Sequence, residues 1–163
     1  MSSKTDTPES DLAISPKDVS LSNSVSVVSF IGEDFSDHSS RIDRCYVGIY
    51  DASKKALSVV KRKYNSGSSE DSTPCTKVAL YATGKDGAGK PWIAFMSTYS
   101  NPQVGDGQDE DILELYALDP TQNKLCYDEK LTDAINASVE NPSVPKVQSY
   151  LSSRKFSSGT ECN

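Results

Sequence analysis

Three stretches of the chain repeat one phrase: Val47-Gly48-Ile49-Tyr50, Val78-Ala79-Leu80-Tyr81 and Leu113-Glu114-Leu115-Tyr116. Each alternates apolar with small or polar residues, closes on tyrosine, and leads through a turn-forming tract into a second β-prone run. Alternation with period two puts every second side chain on one face of a strand. Two such runs joined by a turn make a hairpin. The chain is therefore expected to be all-β, with antiparallel hairpins forming about two blade-like or sandwich-like sheets.

The remaining elements follow from the same reading. A first strand is expected over residues 25–31. Residues 44–51 and 56–64 flank the turn Ala52-Ser53-Lys54-Lys55, and residues 76–83 and 92–99 flank the glycine-rich tract 84–91. Residues 112–118 and 124–128 flank Asp119-Pro120-Thr121-Gln122-Asn123, where proline suits the second position of a type I turn. This makes seven strands. Helical period appears only afterwards: Leu131, Ile135 and Val139 share a face that Asn141-Pro142 ends. A second short helix is expected from Pro145, with Val147, Tyr150 and Leu151 on one side. These short C-terminal helices are expected to cover an open sheet edge or end. Residues 1–23 hold too few apolar side chains to offset their ordering entropy and are expected to be disordered. A single β domain then spans 24–156, and 157–163 form a flexible tail.

Charge excludes one class of partner. The net charge is −6 and the pI about 4.8, which opposes non-specific binding to nucleic acid. The distribution is uneven, however. Residues 41–63 hold seven bases against two acids, a net +5, whereas 101–120 hold six acids and no base. Such a molecule is dipolar unless the two tracts meet within one chain. No hydrophobic run approaches the roughly 18 residues of a membrane span, and no signal peptide opens the sequence. The expectation is a cytoplasmic protein unless a leader has been removed.

Few residues carry chemistry. Gly84-Lys85-Asp86-Gly87-Ala88-Gly89-Lys90 fits the GxxxxGK of a phosphate-binding loop. The next residue is Pro91, not the hydroxyl residue that holds magnesium, and Trp92-Ile93-Ala94-Phe95-Met96 reads as a strand where the motif needs a helix. A hairpin turn accounts for it better. The one histidine, His38, lies in a serine-rich loop without the spatial partners of a catalytic set. Asp106, Asp109 and Asp111 form an acidic tract that suits calcium without the spacing of an EF-hand loop. The cysteines Cys45, Cys75, Cys126 and Cys162 lack metal-site spacing. Cys45 and Cys126 fall in expected strands, where a free thiol packs as a small apolar side chain. Disulfides, and use of the sequon Asn136-Ala137-Ser138, are expected only in an exported chain. No cofactor, metal ligand set or catalytic residue is assigned.

Aromatic residues are the main resource for recognition. Tyr46, Tyr64, Tyr99, Trp92 and Tyr127 lie in or beside strands, and a flat ring with a polar handle suits stacking on a sugar or anchoring a peptide. Trp92, at the mouth of a turn, is the foremost ligand platform, with Tyr46, Tyr99 and Tyr127 as companions. Tyr50, Tyr81 and Tyr116 are instead expected to fill the core.

The order of three runs, 25–30, then 46–50, then 57–60, resembles one blade of the fungal and bacterial fucose-binding lectin propellers. Residues 92–97, 112–116 and 124–128 resemble a second blade. The resemblance implies propeller blades and carbohydrate binding; since two blades cannot close a propeller alone, it implies either a homo-oligomeric ring or two sheets packed face to face. The family's sugar-binding arginine falls at Gly48 and Glu114, and its glutamate near Val59 and Tyr127. The functional expectation is a non-enzymatic binding module for a glycan or protein partner, lectin-like in the first instance. The alternatives are a secreted effector or toxin-like protein that binds a host protein, an intracellular protein-interaction domain, and a hydrolase built on loop carboxylates.

Overall fold

A computed structural model describes residues 19–34, 42–62, 74–100, 109–157 and 161–163. Among these residues, eight strands form two antiparallel sheets. The smaller holds β1 (Val25–Asp34), β2 (Ile42–Asp51) and β3 (Ala56–Val59) in chain order. The larger runs β4 (Cys75–Lys85), β5 (Pro91–Ser100), β6 (Asp109–Asp119), β7 (Lys124–Tyr127) and β8 (Glu161–Cys162). Two helices follow β7: α1 (Glu129–Ser138) and α2 (Val144–Ser152). The protein is all-β with short C-terminal helices, and each tyrosine-ended phrase lies in the first strand of a hairpin. His38, Tyr64 and Asp106 lie outside the described residues.

The pleat sorts the core into layers. Val25, Val27, Val47, Ile49 and Val60 of the small sheet pack against Ile93, Phe95, Tyr116, Leu118, Leu125 and Tyr127 of the large one. The opposite face of the large sheet, with Trp92, Ala94, Leu113, Leu115 and Ala117, packs on Ile135, Val147, Leu151 and Phe156. The large sheet is thus buried on both faces, which explains why β5 reads as a nearly continuous apolar run and not as clean alternation. The helices cover a sheet face, not merely an edge as expected.

Local signals explain where the helices begin and end. Asp128 caps α1 by accepting from the Leu131 N–H at 2.9 Å. Ser143 caps α2 by accepting from the Lys146 N–H, with a proline in its first turn. Both are favoured N-cap types. Asn141 takes a left-handed backbone, φ 50°, in the turn between the helices, a conformation asparagine tolerates better than most residues.

Helix α1 also completes the sheet. Pairing of β6 with β7 stops at Tyr116 and Tyr127, leaving the rest of that β6 edge without a strand. Thr132 Oγ1 accepts from the Leu115 N–H at 3.0 Å and Asn136 Oδ1 from the Leu113 N–H at 3.1 Å, while Asn136 Nδ2 donates to the Leu113 carbonyl at 2.8 Å. Spacing of four residues puts both side chains on one helix face. They act as a surrogate strand and satisfy buried backbone groups that would otherwise each cost free energy.

The sequence leaves the cysteines open between free thiols and the disulfides of an exported chain; the structure pairs all four, and residues 161–163 of the expected flexible tail lie against β7. Cys45 joins Cys75, and Cys126 joins Cys162. Residues 161–162 pair with Cys126 and Tyr127, and Asn163 adds bonds to Leu125 and Asn123. A polar tail cannot stay ordered by burial alone; the covalent link at Cys162 supplies what composition lacks. Closing loops with sequence separations of 30 and 36 residues contributes about 3–4 kcal/mol each in the chain-entropy account.

Candidate functional site

A buried polar cluster lies between the sheets. Glu114 is fully buried on β6. Its Oε2 accepts from Arg62 Nη1 at 2.7 Å and from the Tyr99 hydroxyl at 2.8 Å, and its Oε1 accepts from the Ser97 hydroxyl. The guanidinium of Arg62 stacks 4.0 Å from the ring centroid of Tyr127. The pleat explains the assembly: Ser97, Tyr99 and Glu114 fall on the same face of neighbouring strands, and Arg62 enters just past β3. One base of the +5 tract therefore meets one acid of the −6 tract inside the molecule.

This cluster resembles a catalytic set in composition but not in access. Ser97, Tyr99 and Glu114 have no solvent exposure, and the hydroxyls of Ser97 and Tyr99 both donate to the carboxylate. Its chemistry is structural: a charge inside a sandwich is tolerated only when paired and hydrogen-bonded on several sides. The alternating pattern held no sign of it, because Glu114 reads as one more member of an acidic tract.

The expected aromatic platform is taken apart by burial. Trp92 is 1% exposed, and its ring lies against Gly84 on the helix side of the large sheet. Tyr99 packs beside the Cys45–Cys75 pair, and Tyr127 packs between the sheets. Trp92, Tyr99 and Tyr127 therefore offer no ring face to a ligand. The reason is geometric: the large sheet is covered by the small sheet on one face and by the helices on the other, so a ring on either face is buried. Tyr46 alone of the four stays half-buried, stacked on Phe30 with ring centroids 5.3 Å apart. The three phrase-ending tyrosines part company as well. Tyr116 fills the inter-sheet core, Tyr81 is half-buried on the helix side, and Tyr50 sits with Val28 on the outer face of the small sheet.

The acidic and glycine-rich tracts are also placed. Asp109 and Asp111 are exposed at the start of β6, and Asp111 accepts from the Thr98 hydroxyl at 2.8 Å. No group of three or more metal-ligating side chains occurs among the described residues. Residues 86–90 form the β4–β5 turn, with Gly89 at φ 80°. Asp86 organises it: its Oδ1 accepts from the N–H groups of Ala88 and Lys90, and its Oδ2 from that of Phe156. Burial raises the pKa of this carboxyl, but the three N–H bonds and the Lys90 charge outweigh it and hold the pKa below the usual aspartate range.

The concave feature that sequence reasoning missed lies between the helices. A shallow, open groove of about 580 Å³ is lined by Val139, Pro145 and Tyr150 together with Ser138, Glu140, Lys146 and Ser149. The left-handed turn at Asn141 folds α2 back beside the end of α1 and creates it. Lys146 Nζ is held there by the carbonyls of Glu140 and Asn141, at 3.3 and 3.2 Å. Tyr150 is braced by the guanidinium of Arg154, 3.6 Å from its ring centroid. The sequence signal was present, since Tyr150 falls on the apolar face of α2 with a polar tip that a closed core would have to satisfy.

Comparison of the chain with protein-family models, curated proteins and solved structures finds no match.

Proposed function

We propose that the protein is a non-enzymatic binding module that takes a short oligosaccharide in the groove between α1 and α2. The groove itself carries this reading. An aromatic and aliphatic lining together with hydroxyl, carboxylate and ammonium groups matches a ligand with apolar ring faces and many hydroxyls. The two disulfides support a setting in an oxidising compartment over the intracellular reading. The test is a glycan array on the oxidised protein, followed by titration of the hit. Tyr150→Ala should weaken that binding by at least about tenfold, as expected for a stacking anchor, measured well below the melting temperature of the variant. Equal binding by the variant, or an array without any hit, would remove the groove from consideration.

A second reading has its own observation. The outer face of the small sheet gathers Phe30, Tyr46 and Leu57, all half-buried, around Val28 and Tyr50. Such a face suits a protein partner, as the effector-like alternative requires.

A further inference from the structure

Strand direction sorts the charges to opposite ends of the molecule. β2 and β4 both start beside the Cys45–Cys75 disulfide and run away from it. The turns that end them, 52–55 and 86–90, therefore lie at the far end. The β6–β7 turn joins them there, because Trp92 at the start of β5 pairs with Ala117 near the end of β6. Three hairpin turns crowd one end of the sandwich.

Lysines are exposed in or beside every one of these turns: Lys54 and Lys55, Lys85 and Lys90, and Lys124. The segment after α2 adds two more bases. The Arg154 carbonyl accepts from the Gly87 N–H at 2.6 Å, so exposed Arg154 and Lys155 lie against the middle turn. Against these seven bases stand Asp51, Asp86 and Asp119, leaving a net +4 on a chain whose total is −6. The three aspartates share one role. Asp51 accepts from the N–H and hydroxyl of Ser53, Asp119 from those of Thr121, and Asp86 from three N–H groups. Their carboxylates are turned onto their own turns, while none of the five lysines closes a salt bridge among the described residues. The other end carries exposed Glu33, Asp43, Asp109, Glu110 and Asp111.

We infer that this turn-bearing end docks a polyanionic glycan, a polysaccharide with repeated sulfate or carboxylate groups. The inference rests on the carbohydrate reading above and names the ligand's chemical class. Lysine ammonium groups on flexible stems meet repeated anionic groups without fixed geometry, and summed over three turns they make a local positive field that overall charge conceals. Single-stranded nucleic acid fits less well, because its binding relies on aromatic stacking platforms and the three turns contain no aromatic residue. Arg154 joins this face to the groove, since its backbone lies against the middle turn while its guanidinium stacks on Tyr150.

The test uses the full, oxidised chain on an immobilised heparin-type sulfated polysaccharide and on its desulfated form. The wild type should bind the sulfated polymer with an affinity that falls steeply as salt rises. A triple variant, Lys54→Gln with Lys55→Gln and Lys90→Gln, should lose at least about tenfold at low salt. A control triple of equal net charge, Lys61→Gln with Lys77→Gln and Lys130→Gln, should bind as the wild type does. Equal losses in both triples would overturn the proposal, as would no binding at low salt or equal binding to an RNA homopolymer. If Tyr150→Ala leaves binding of the desulfated polymer intact while the turn triple abolishes sulfated binding, the groove assignment falls and this one stands.

Discussion

The two faces of the five-stranded sheet are buried to a similar depth by different physics. Toward the small sheet, the layer contains a carboxylate, a guanidinium and two hydroxyls that satisfy one another around Glu114. Toward the helices, the layer is apolar at its centre. Among the described residues, hydrogen-bonded polar side chains stand at its margins, where Thr132 and Asn136 complete the β6 edge and Asp86 ties a turn to Phe156. One face is specified by a charge that tolerates a single arrangement; the other is specified by volume. A registry shift between the sheets would strand a buried ion, whereas a small shift of the helices would cost contact area.

The largest expected effect breaks the polar face. Glu114→Ala leaves Arg62 and two hydroxyls without their shared acceptor and should cost about 3–5 kcal/mol in urea unfolding. The pair variant Arg62→Met with Glu114→Leu should cost less than Glu114→Ala, because no charge is then left buried. If the pair variant costs more, packing and not charge specifies this layer. A middle effect probes the apolar face: a Cβ at Gly84 would lie 2.7 Å from Trp92 Cζ2. Gly84→Ala should therefore cost about 1–3 kcal/mol through overpacking, read in the same unfolding experiment. A neutral result would show that the helix layer yields easily.

The smallest effect is a pH dependence at the margin. The Asp86 pKa is held low in the folded state, so its stabilisation is complete above the unfolded value near 3.9 and lost as pH falls through the folded one. Asp86→Asn should thus cost about 1–2 kcal/mol at neutral pH, and the gap to the wild type should close in acid. Asp133 works in the opposite direction. Burial, then the neighbouring Glu129, raises its pKa, so its cost is relieved as pH falls.

The sequence made the hairpins readable because period-two alternation and turn chemistry are local signals. Seven strands were legible on that basis, and both helices from their 3.6-residue period; β8 was not, since two residues in a polar tail carry no period. The disulfides were illegible for a related reason. Cys45 and Cys75 belong to different sheets, so only the packing of one sheet on the other brings them together. Burial of Trp92 was hidden too, because a residue beside a turn looks exposed until a second layer is placed over it. Glu114 shows the limit most plainly. Alternation predicts which face a side chain takes, but not that an arginine 52 residues away will be waiting there.

Asn136 carries a temporal consequence. Its amide nitrogen, the atom to which a glycan would be attached at the Asn136-Ala137-Ser138 sequon, donates to the carbonyls of Leu113 and Thr132 in the folded chain. Attachment and docking of α1 onto β6 therefore compete for the same atom. In any compartment equipped to glycosylate the chain, the outcome is a race: rapid folding erases the sequon as a target, and a sugar at Asn136 marks a molecule whose helix was late to its strand.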